Sequence, residues 1–138
     1  MVSHDPEDST RRFLALWAAG EIDACMGFIA EDAVYALYIS RDVVPFGGET
    51  VGRANIEAAL RQIRCQWDYL LFRPYNFAAK GDIVRARVEH MYRHRASGAV
   101  LSGHFRLVFK LRDGLIVRAD EYHDRAMVEA FVRLHGQG

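Results

Sequence analysis

The sequence has few of the features that point to specialised classes of protein. It contains only two cysteines and three prolines in 138 residues. No apolar run approaches the roughly 20 residues that a membrane-spanning helix requires. Its 18 lysines and arginines are balanced by 18 aspartates and glutamates, so there is no basic field of the kind that drives non-specific binding to nucleic acids. We therefore expect neither a nucleic acid nor a membrane as a partner.

Cofactor and metal motifs are also missing. The sequence has no GxGxxG motif, no P-loop and no nucleophile elbow. Cys25 and Cys65 lie apart in predicted helices, which favours reduced and mostly buried thiols over a disulfide or a zinc site. We expect no cofactor and no metal. The first ten residues are polar and acidic, unlike a targeting peptide, so we expect a cytoplasmic protein.

The rest of the sequence alternates between helical and strand patterns that fit one domain over residues 1–138, with 1–7 as a flexible tail. Apolar spacing predicts helices, and runs of β-branched and aromatic residues bounded by glycine turns predict strands. The segment 40–51 is predicted to be a loop or a short irregular hairpin. Helices on one face of an antiparallel sheet make an α+β fold. The predicted helices are 8–19, 22–29, 52–66 and 125–135, and the predicted strands are 33–39, 67–79, 83–95, 99–111 and 115–124.

Four short motifs, spread in order over nearly the whole chain, resemble those of one family. They are W-A-A-G-E-I-D at 17–23, F-I-A-E-D-A-V-Y at 28–35, G-R-A-N-I at 52–56, and the hairpin 109–117 followed by E-Y-H-D at 121–124. Together they resemble the SnoaL-like branch of the nuclear transport factor 2-like superfamily. The resemblance implies a cone, in which a strongly curved antiparallel sheet wraps three helices of the N-terminal half around a pocket.

The alternation of side chains along the last strands separates an inner face from an outer face. In 99–111, the apolar residues at 105, 107 and 109 alternate with charged ones, so the apolar set faces the core. A two-residue turn at Ser97-Gly98 would pair Phe105 with His90 and Leu107 with Val88. On the last strand the inward set is predicted to be Leu115, Val117 and Ala119, continuing to Glu121 and His123.

These alternations give a candidate site inside the cone. Its polar residues are Glu121, His90 and His123, joined by Tyr35, which faces inward by resemblance to the family. A buried carboxylate beside a histidine is a plausible acid–base couple for enolisation, aldol cyclisation, dehydration or water activation. Tyr35 could donate a hydrogen bond to a developing oxyanion. The alternative is that these groups merely satisfy one another. The predicted pocket wall comprises Trp17, Leu37, Val88, Tyr92, Phe105, Leu107 and Ala119.

The resemblance does not carry over the catalytic residues of two known relatives. At the positions that resemble the catalytic base, tyrosine and acid of ketosteroid isomerase, this sequence has Leu37, Phe13 and Phe105. Limonene-epoxide hydrolase is similar at Tyr35 and Glu121 but has an asparagine where Leu37 stands. The superfamily implies an acid–base enzyme of isomerase, cyclase, dehydratase or epoxide-hydrolase type acting on a small apolar molecule. The alternative is a non-catalytic domain that binds a small ligand or dimerises.

The outer face of the predicted sheet carries charges of both signs. Relatives of this fold often dimerise through that face, where charges can pair across a two-fold axis. We therefore predict a homodimer, with Glu89 lying across from Arg106 within each chain. The residues expected at this surface are Arg85, Arg87, Glu89, His104, Arg106 and Arg118.

Overall fold

The computed structural model describes residues 5–136, which form a curved six-stranded sheet and four helices. The strand order is β2-β1-β6-β5-β4-β3, and every neighbouring pair is antiparallel except β1 and β6, which are parallel. The predicted α+β class and cone architecture are confirmed. The elements are α1 (Pro6–Ala18), α2 (Ile22–Met26), β1 (Ile29–Leu37), β2 (Gly48–Val51), α3 (Arg53–Gln66), β3 (Trp67–Lys80), β4 (Ile83–His94), β5 (Val100–Arg112), β6 (Leu115–Tyr122) and α4 (Arg125–His135).

The core lies between the concave face of the sheet and the apolar sides of α1 and α3. Helix α1 contributes Phe13, Leu14 and Trp17, which recur at three- and four-residue spacing and are buried. Helix α3 contributes Ile56 and Leu60 in the same way. Because both helices present one apolar side to the sheet, the inside of the cone is apolar except where strand residues bring polar groups into it.

Helix α1 begins at Pro6, two residues earlier than predicted. The side chain of Asp5 accepts a hydrogen bond from the Asp8 backbone N–H at 3.2 Å and so caps the helix. Proline suits the first helical position because a backbone N–H there would have no partner within the helix, so nothing is lost by its absence. The predicted tail is therefore wrong for residues 5–7, and residues 1–4 of that prediction lie outside the described part of the chain.

The second helix is shorter than predicted, and β1 begins earlier. Helix α2 ends at Met26, and Ile29 already pairs with Ile116 in the sheet. The Ile116 backbone N–H donates to the Phe28 carbonyl at 2.7 Å. Pairing with β6 therefore draws residues 29–32 into a strand. In the segment predicted as a loop or irregular hairpin, β2 (Gly48–Val51) forms and pairs with β1.

The register between β4 and β5 differs from the prediction by two residues, but the faces do not change. Val88 pairs with Phe105, and His90 pairs with Gly103. The turn contains the four residues 95–98 instead of two, and it closes with the Gly98 N–H donating to the His94 carbonyl at 2.7 Å. Because side chains alternate with a period of two, a shift of two residues leaves the predicted inner set facing inward.

A β-bulge in β6 decides which of its side chains face the core. Leu111 pairs with Ile116 and Lys110 with Arg118, which leaves Val117 as an extra residue. Ile116 is therefore buried, while Leu115 is 36% exposed. The predicted inward position of Leu115 is wrong. Beyond the bulge the alternation returns to the predicted one, so Ala119 and Glu121 face inward.

The two cysteines lie in different environments. Cys25 is fully buried, whereas Cys65 on α3 is exposed, and neither forms a disulfide. The prediction of mostly buried thiols is thus wrong for Cys65, because its position on α3 falls on the solvent side of the helix. Burial raises the pKa of the Cys25 thiol to about 11.

Candidate functional site

An apolar cavity of about 130 Å³ lies inside the cone. Its walls come from the inner face of the sheet, from α1 and α3, and from α4, which the sequence placed only as a closing helix. Val88 was predicted to line the cavity, but it is fully buried in the sheet and does not reach the cavity wall. The other predicted wall residues do line it: Trp17, Leu37, Tyr92, Phe105, Leu107 and Ala119.

Three of the four predicted polar residues meet on this wall. The Tyr35 hydroxyl donates to Oε1 of Glu121 at 3.0 Å. Nε2 of His123 lies 2.5 Å from Oε2 of the same carboxylate. The parallel pairing of β1 with β6 creates this group, because it places Leu37 beside Glu121 and Tyr35 beside Ala119. Each carboxylate oxygen therefore has one partner, from a different part of the chain.

The Glu121–His123 pair is not sealed from solvent. The side chains keep 20% and 10% of their surface exposed, respectively. The imidazole of His123 stacks on the ring of Phe105, with centroids 4.4 Å apart. The face of the imidazole thus packs on an apolar ring, while the edge of the imidazole contacts the carboxylate. This arrangement places a carboxylate and an imidazole in contact at the boundary between an apolar cavity and water.

The tyrosines of the cavity remain protonated. Burial, followed by the negative charge of Glu121 and the hydrogen bond to it, holds the pKa of Tyr35 well above its ordinary value. Burial also raises the pKa values of Tyr69 and Tyr92, whose rings stack at 4.0 Å. Tyr35 is therefore a fixed hydrogen-bond donor near neutral pH and does not act as a base.

His90 is the fourth predicted site residue, and it lies behind the other three. It is 2% exposed, does not line the cavity, and stands edge-on to His123 with ring centroids 6.0 Å apart. Its Nδ1 has no hydrogen-bond partner within residues 5–136. Burial, and then the neighbouring His123, lower its pKa to about 4. His90 is thus a neutral imidazole packed against the site.

Several wall residues were not predicted from the sequence. Tyr69 and Phe72 of β3, and Val128 and Val132 of α4, all line the cavity. The two valines are four residues apart, which places them on one face of the helix, so their spacing could have predicted that this face of α4 points inward. The loop between β1 and β2 contributes Ile39, Val44 and Phe46. A loop gives no periodic pattern from which their inward position could be read.

The charged residues predicted for the outer face of the sheet lie there, but the cross-strand neighbours of Glu89 and Arg106 differ from the predicted ones. Glu89 lies across from His104, not Arg106, and it forms an ion pair with Arg73 at 2.7 Å. Arg106 lies across from Arg87 instead. This correction follows from the two-residue shift in register. Arg118 pairs within its own chain, at 3.0 Å from both Asp120 and Glu49.

Within residues 5–136, no three His, Cys, Asp or Glu side chains are grouped so that they could hold a metal ion. Over the same residues, no helix is long and apolar enough to cross a membrane.

The fold and the cavity together define an α+β cone protein, and comparison with known proteins gives its family. Residues 10–119 match the family described as SnoaL-like domain. Because this match covers most of the 138 residues, the chain belongs to the SnoaL-like family. No curated protein matches the chain significantly.

Solved structures show the same fold at low sequence identity. One, described as a putative isomerase from Rhodopseudomonas palustris, is 16% identical, with a TM-score of 0.79 over 95% of this chain and 98% of that one. A "putative polyketide cyclase" from Xanthomonas campestris is 18% identical, with a TM-score of 0.74 over 91% and 94%. A third, of unknown function with a cystatin-like fold, also from Xanthomonas campestris, is 20% identical with a TM-score of 0.80 over 92% and 97%. NTF2-like proteins from two Burkholderia species share this fold as well, each with a TM-score of 0.79, so the chain has the nuclear transport factor 2-like fold.

Proposed function

We propose that this protein is a cofactor-independent acid–base enzyme that moves a proton on a small, mainly apolar molecule. Glu121 is the group that accepts the proton, and His123 is its partner. The observation that carries this proposal is the 2.5 Å contact between Glu121 and His123 at the wall of an otherwise apolar cavity. The names of the isomerase and cyclase relatives agree with proton-transfer chemistry at a carbonyl compound.

The cavity environment favours proton transfer from carbon. Glu121 lies on the wall of an apolar cavity, so a bound molecule meets its carboxylate with little water between them. His123 can carry the proton from Glu121 to solvent, because its side chain keeps 10% of its surface exposed. The reaction class is therefore removal of a proton next to a carbonyl, followed by its return at the same or another carbon.

Tyr35 and His90 position this pair. The hydrogen bond from Tyr35 fixes one carboxylate oxygen, so the other oxygen stays directed at His123. His90 packs against the ring of Phe105, with centroids 5.3 Å apart, and the ring of Phe105 in turn stacks on the imidazole of His123. Because its pKa is about 4, His90 stays neutral at physiological pH. His90 therefore packs beside the Glu121–His123 pair without adding a charge that would compete for the carboxylate.

The test is a deuterium-exchange assay that does not require the natural substrate. The probe is 2-cyclohexenone in D2O, and proton NMR follows the loss of its exchangeable C–H signals. The wild type should exchange faster than buffer, and Glu121→Gln should lower the enzymatic rate by about 100-fold or more, in line with the usual contribution of a general base. Asp120→Asn is the matched control, because Asp120 lies one residue away on the opposite face and pairs with Arg118. Its rate should stay within about two-fold of the wild type.

The second candidate is a non-catalytic domain that binds a small ligand. It is favoured by the fact that both oxygens of Glu121 already have hydrogen-bond partners. This candidate predicts that wild type exchanges 2-cyclohexenone no faster than buffer and does not open cyclohexene oxide. It also predicts ligand affinity that does not change in Glu121→Gln. Those results would replace the enzymatic proposal.

We also propose that two copies associate through the outer face of the sheet. Arg87 and Arg106 are exposed and lie directly across from each other, and neither has a carboxylate within ion-pair distance among residues 5–136. Two like charges in that position repel each other. A second copy can relieve this repulsion by bringing carboxylates of its own sheet face opposite the arginines.

A further inference from the structure

We propose that the molecule bound in the cavity is uncharged and about the size of a single six-membered ring, which excludes fused polycyclic compounds. This inference rests on the proposed function, since it names the substrate class of the same site. It is carried by the volume of the cavity, by the side chains that narrow it, and by the lack of an unpaired cation among the described residues of its wall.

The volume of the cavity limits the size of its occupant. The cavity measures about 130 Å³. An apolar cavity of roughly 150 Å³ in another protein takes up one molecule of benzene. The space next to Glu121 is therefore matched to one ring with small substituents. A compound of four fused rings would have to displace packed core side chains, and such overpacking is destabilising.

An aromatic contact narrows the inner end of the cavity. Phe13 of α1 meets Phe109 of β5 edge to face, with ring centroids 6.1 Å apart, and both line the cavity. Phe109 lies across from Ala119, only two residues from the level of Glu121 on β6. Two strand residues span about 7 Å. The Phe13–Phe109 contact therefore narrows the cavity about 7 Å from the carboxylate level, and Ile29 and Ile116 line it beyond that contact.

Helix α4 covers part of the cavity wall. Val128 and Val132 contribute to the wall, and Phe131 packs on Trp67 with centroids 5.8 Å apart. Glu129 holds the helix against the loop after β1, because its carboxylate accepts from the Ser40 backbone N–H at 3.0 Å. A long ligand cannot extend past α4 without breaking these contacts.

The charge of the wall limits the charge of the occupant. Among residues 5–136, no lysine or arginine lines the cavity, and the acidic and basic side chains on its wall are Glu121 and His123, which already face each other. An anionic ligand would lose its hydration and find no cation on the wall in exchange, because the guanidinium of Arg64 packs over the ring of Tyr69 and does not line the cavity. A cation would have to compete with His123 for the same carboxylate. An uncharged carbonyl or ether oxygen needs only a hydrogen-bond donor.

The test compares binding of four probes to the intact protein by isothermal titration calorimetry and thermal shift. They are 2-cyclohexenone with one ring, 1-decalone with two, hydrocortisone with four, and cyclohexanecarboxylate as an anion of one ring. We expect 2-cyclohexenone to bind and raise the melting temperature. At the same concentration, hydrocortisone and cyclohexanecarboxylate should produce neither heat nor a shift. Binding of hydrocortisone as tight as that of 2-cyclohexenone, or no binding of 2-cyclohexenone at all, would overturn the inference.

A variant with a longer cavity shows whether the inner end sets the limit. Phe13→Ala removes the ring that meets Phe109 and should increase the affinity for 1-decalone by about ten-fold or more relative to wild type. Phe13→Leu makes the same test where the alanine variant does not fold. Phe77→Ala is the matched control, since Phe77 packs under Arg11 away from the cavity. An equal gain of affinity in the control would also overturn the inference.

The failure of this inference can be told apart from failure of the proposed function. Tight binding of hydrocortisone together with exchange that depends on Glu121 would refute the size limit and leave the acid–base role standing. Binding of 2-cyclohexenone without any exchange that depends on Glu121 would refute the acid–base role and support the size limit.

Discussion

Tyr35 donates its hydroxyl hydrogen to Glu121 at 3.0 Å, although 86 residues separate the two in sequence. The contact exists because β1 and β6 pair in parallel, which brings the first and last strands of the chain side by side. Tyr35 is 7% exposed, and burial holds its pKa well above the ordinary value. Its hydrogen bond is therefore a permanent part of the site near neutral pH.

Removing this hydroxyl tests the contact. Tyr35→Phe should lower the free energy of unfolding by about 1.5–3 kcal/mol, because a buried hydrogen bond to a charged group is lost. It should also slow the exchange reaction, since the carboxylate is no longer fixed. Urea denaturation measures the first effect. The control is Tyr38→Phe, which removes a hydroxyl that donates to Asp120 at 2.8 Å on an exposed side chain. A loss of unfolding free energy in Tyr38→Phe as large as that in Tyr35→Phe would show that the buried hydrogen bond contributes no more than the exposed one.

The stability of the protein should fall between about pH 6.5 and pH 4 because of His90. Its pKa is lowered from 6.5 to about 4 in the folded protein, so in this range the unfolded chain binds a proton that the folded one does not. Stability is therefore highest above pH 6.5, decreases as the pH falls through this range, and is lower by about 3 kcal/mol once the pH lies below both pKa values. The charged and titratable groups that act on His90 are His123, Glu121 and His104.

Chemical denaturation of wild type and His90→Gln at several pH values measures this slope. The variant should lose most of the dependence between pH 6.5 and pH 4, while His104→Gln, on the exposed outer face, should keep it. An unchanged slope in His90→Gln would show that another group causes the dependence.

The two cysteines should react at very different rates. Cys25 is fully buried, and burial raises its pKa to about 11, so very little thiolate is present near neutral pH. Cys65 is exposed. Titration with a disulfide reagent should therefore detect one thiol in the native protein and two after denaturation. Cys65→Ser should remove the native reaction, and two reactive thiols in the native wild type would contradict the burial of Cys25.

The proposed association can be disrupted at the arginine pair. Arg106→Glu places a carboxylate beside Arg87 within one chain, which removes the unpaired charge that a second copy would satisfy. Sedimentation should show a dimer for wild type and a monomer for this variant. Lys80→Glu makes the same change of charge at the end of β3 and should remain dimeric. A monomeric wild type at all concentrations would refute the association.

Much of the fold could be predicted because local patterns and turn residues agree with it. The alternation of Phe105, Leu107 and Phe109 identifies the inner face, and the Asp113-Gly114 pair marks a hairpin in which both residues have positive φ. The family motifs added the curvature of the sheet. The inward position of Glu121 survived because the bulge at Val117 shifts only the residues before it.

The errors arose where long-range contacts outweigh local pattern. The helical spacing around Ile29 is real, but pairing with Ile116 makes that residue part of a strand. The length of the turn at 95–98 depends on a backbone contact that glycine permits and that no motif specifies. The separation of His90 from the cavity depends on side-chain packing against Phe105 and Tyr92. Alternation along a strand predicts on which face of the sheet a side chain lies. It does not predict whether that side chain reaches the cavity or stays packed behind its wall.

The central claim is that a small molecule binds inside the cone with its polar group at Glu121 and His123. The most direct measurement is a set of intermolecular nuclear Overhauser effects between bound 2-cyclohexenone and the methyl and aromatic protons of the protein. We predict contacts from the ring of the probe to Leu107, Ala119 and Phe105, and none to the outer-face residue Met91. Contacts confined to Met91 and its neighbours on the outer face, or no contacts inside the cone, would contradict the claim.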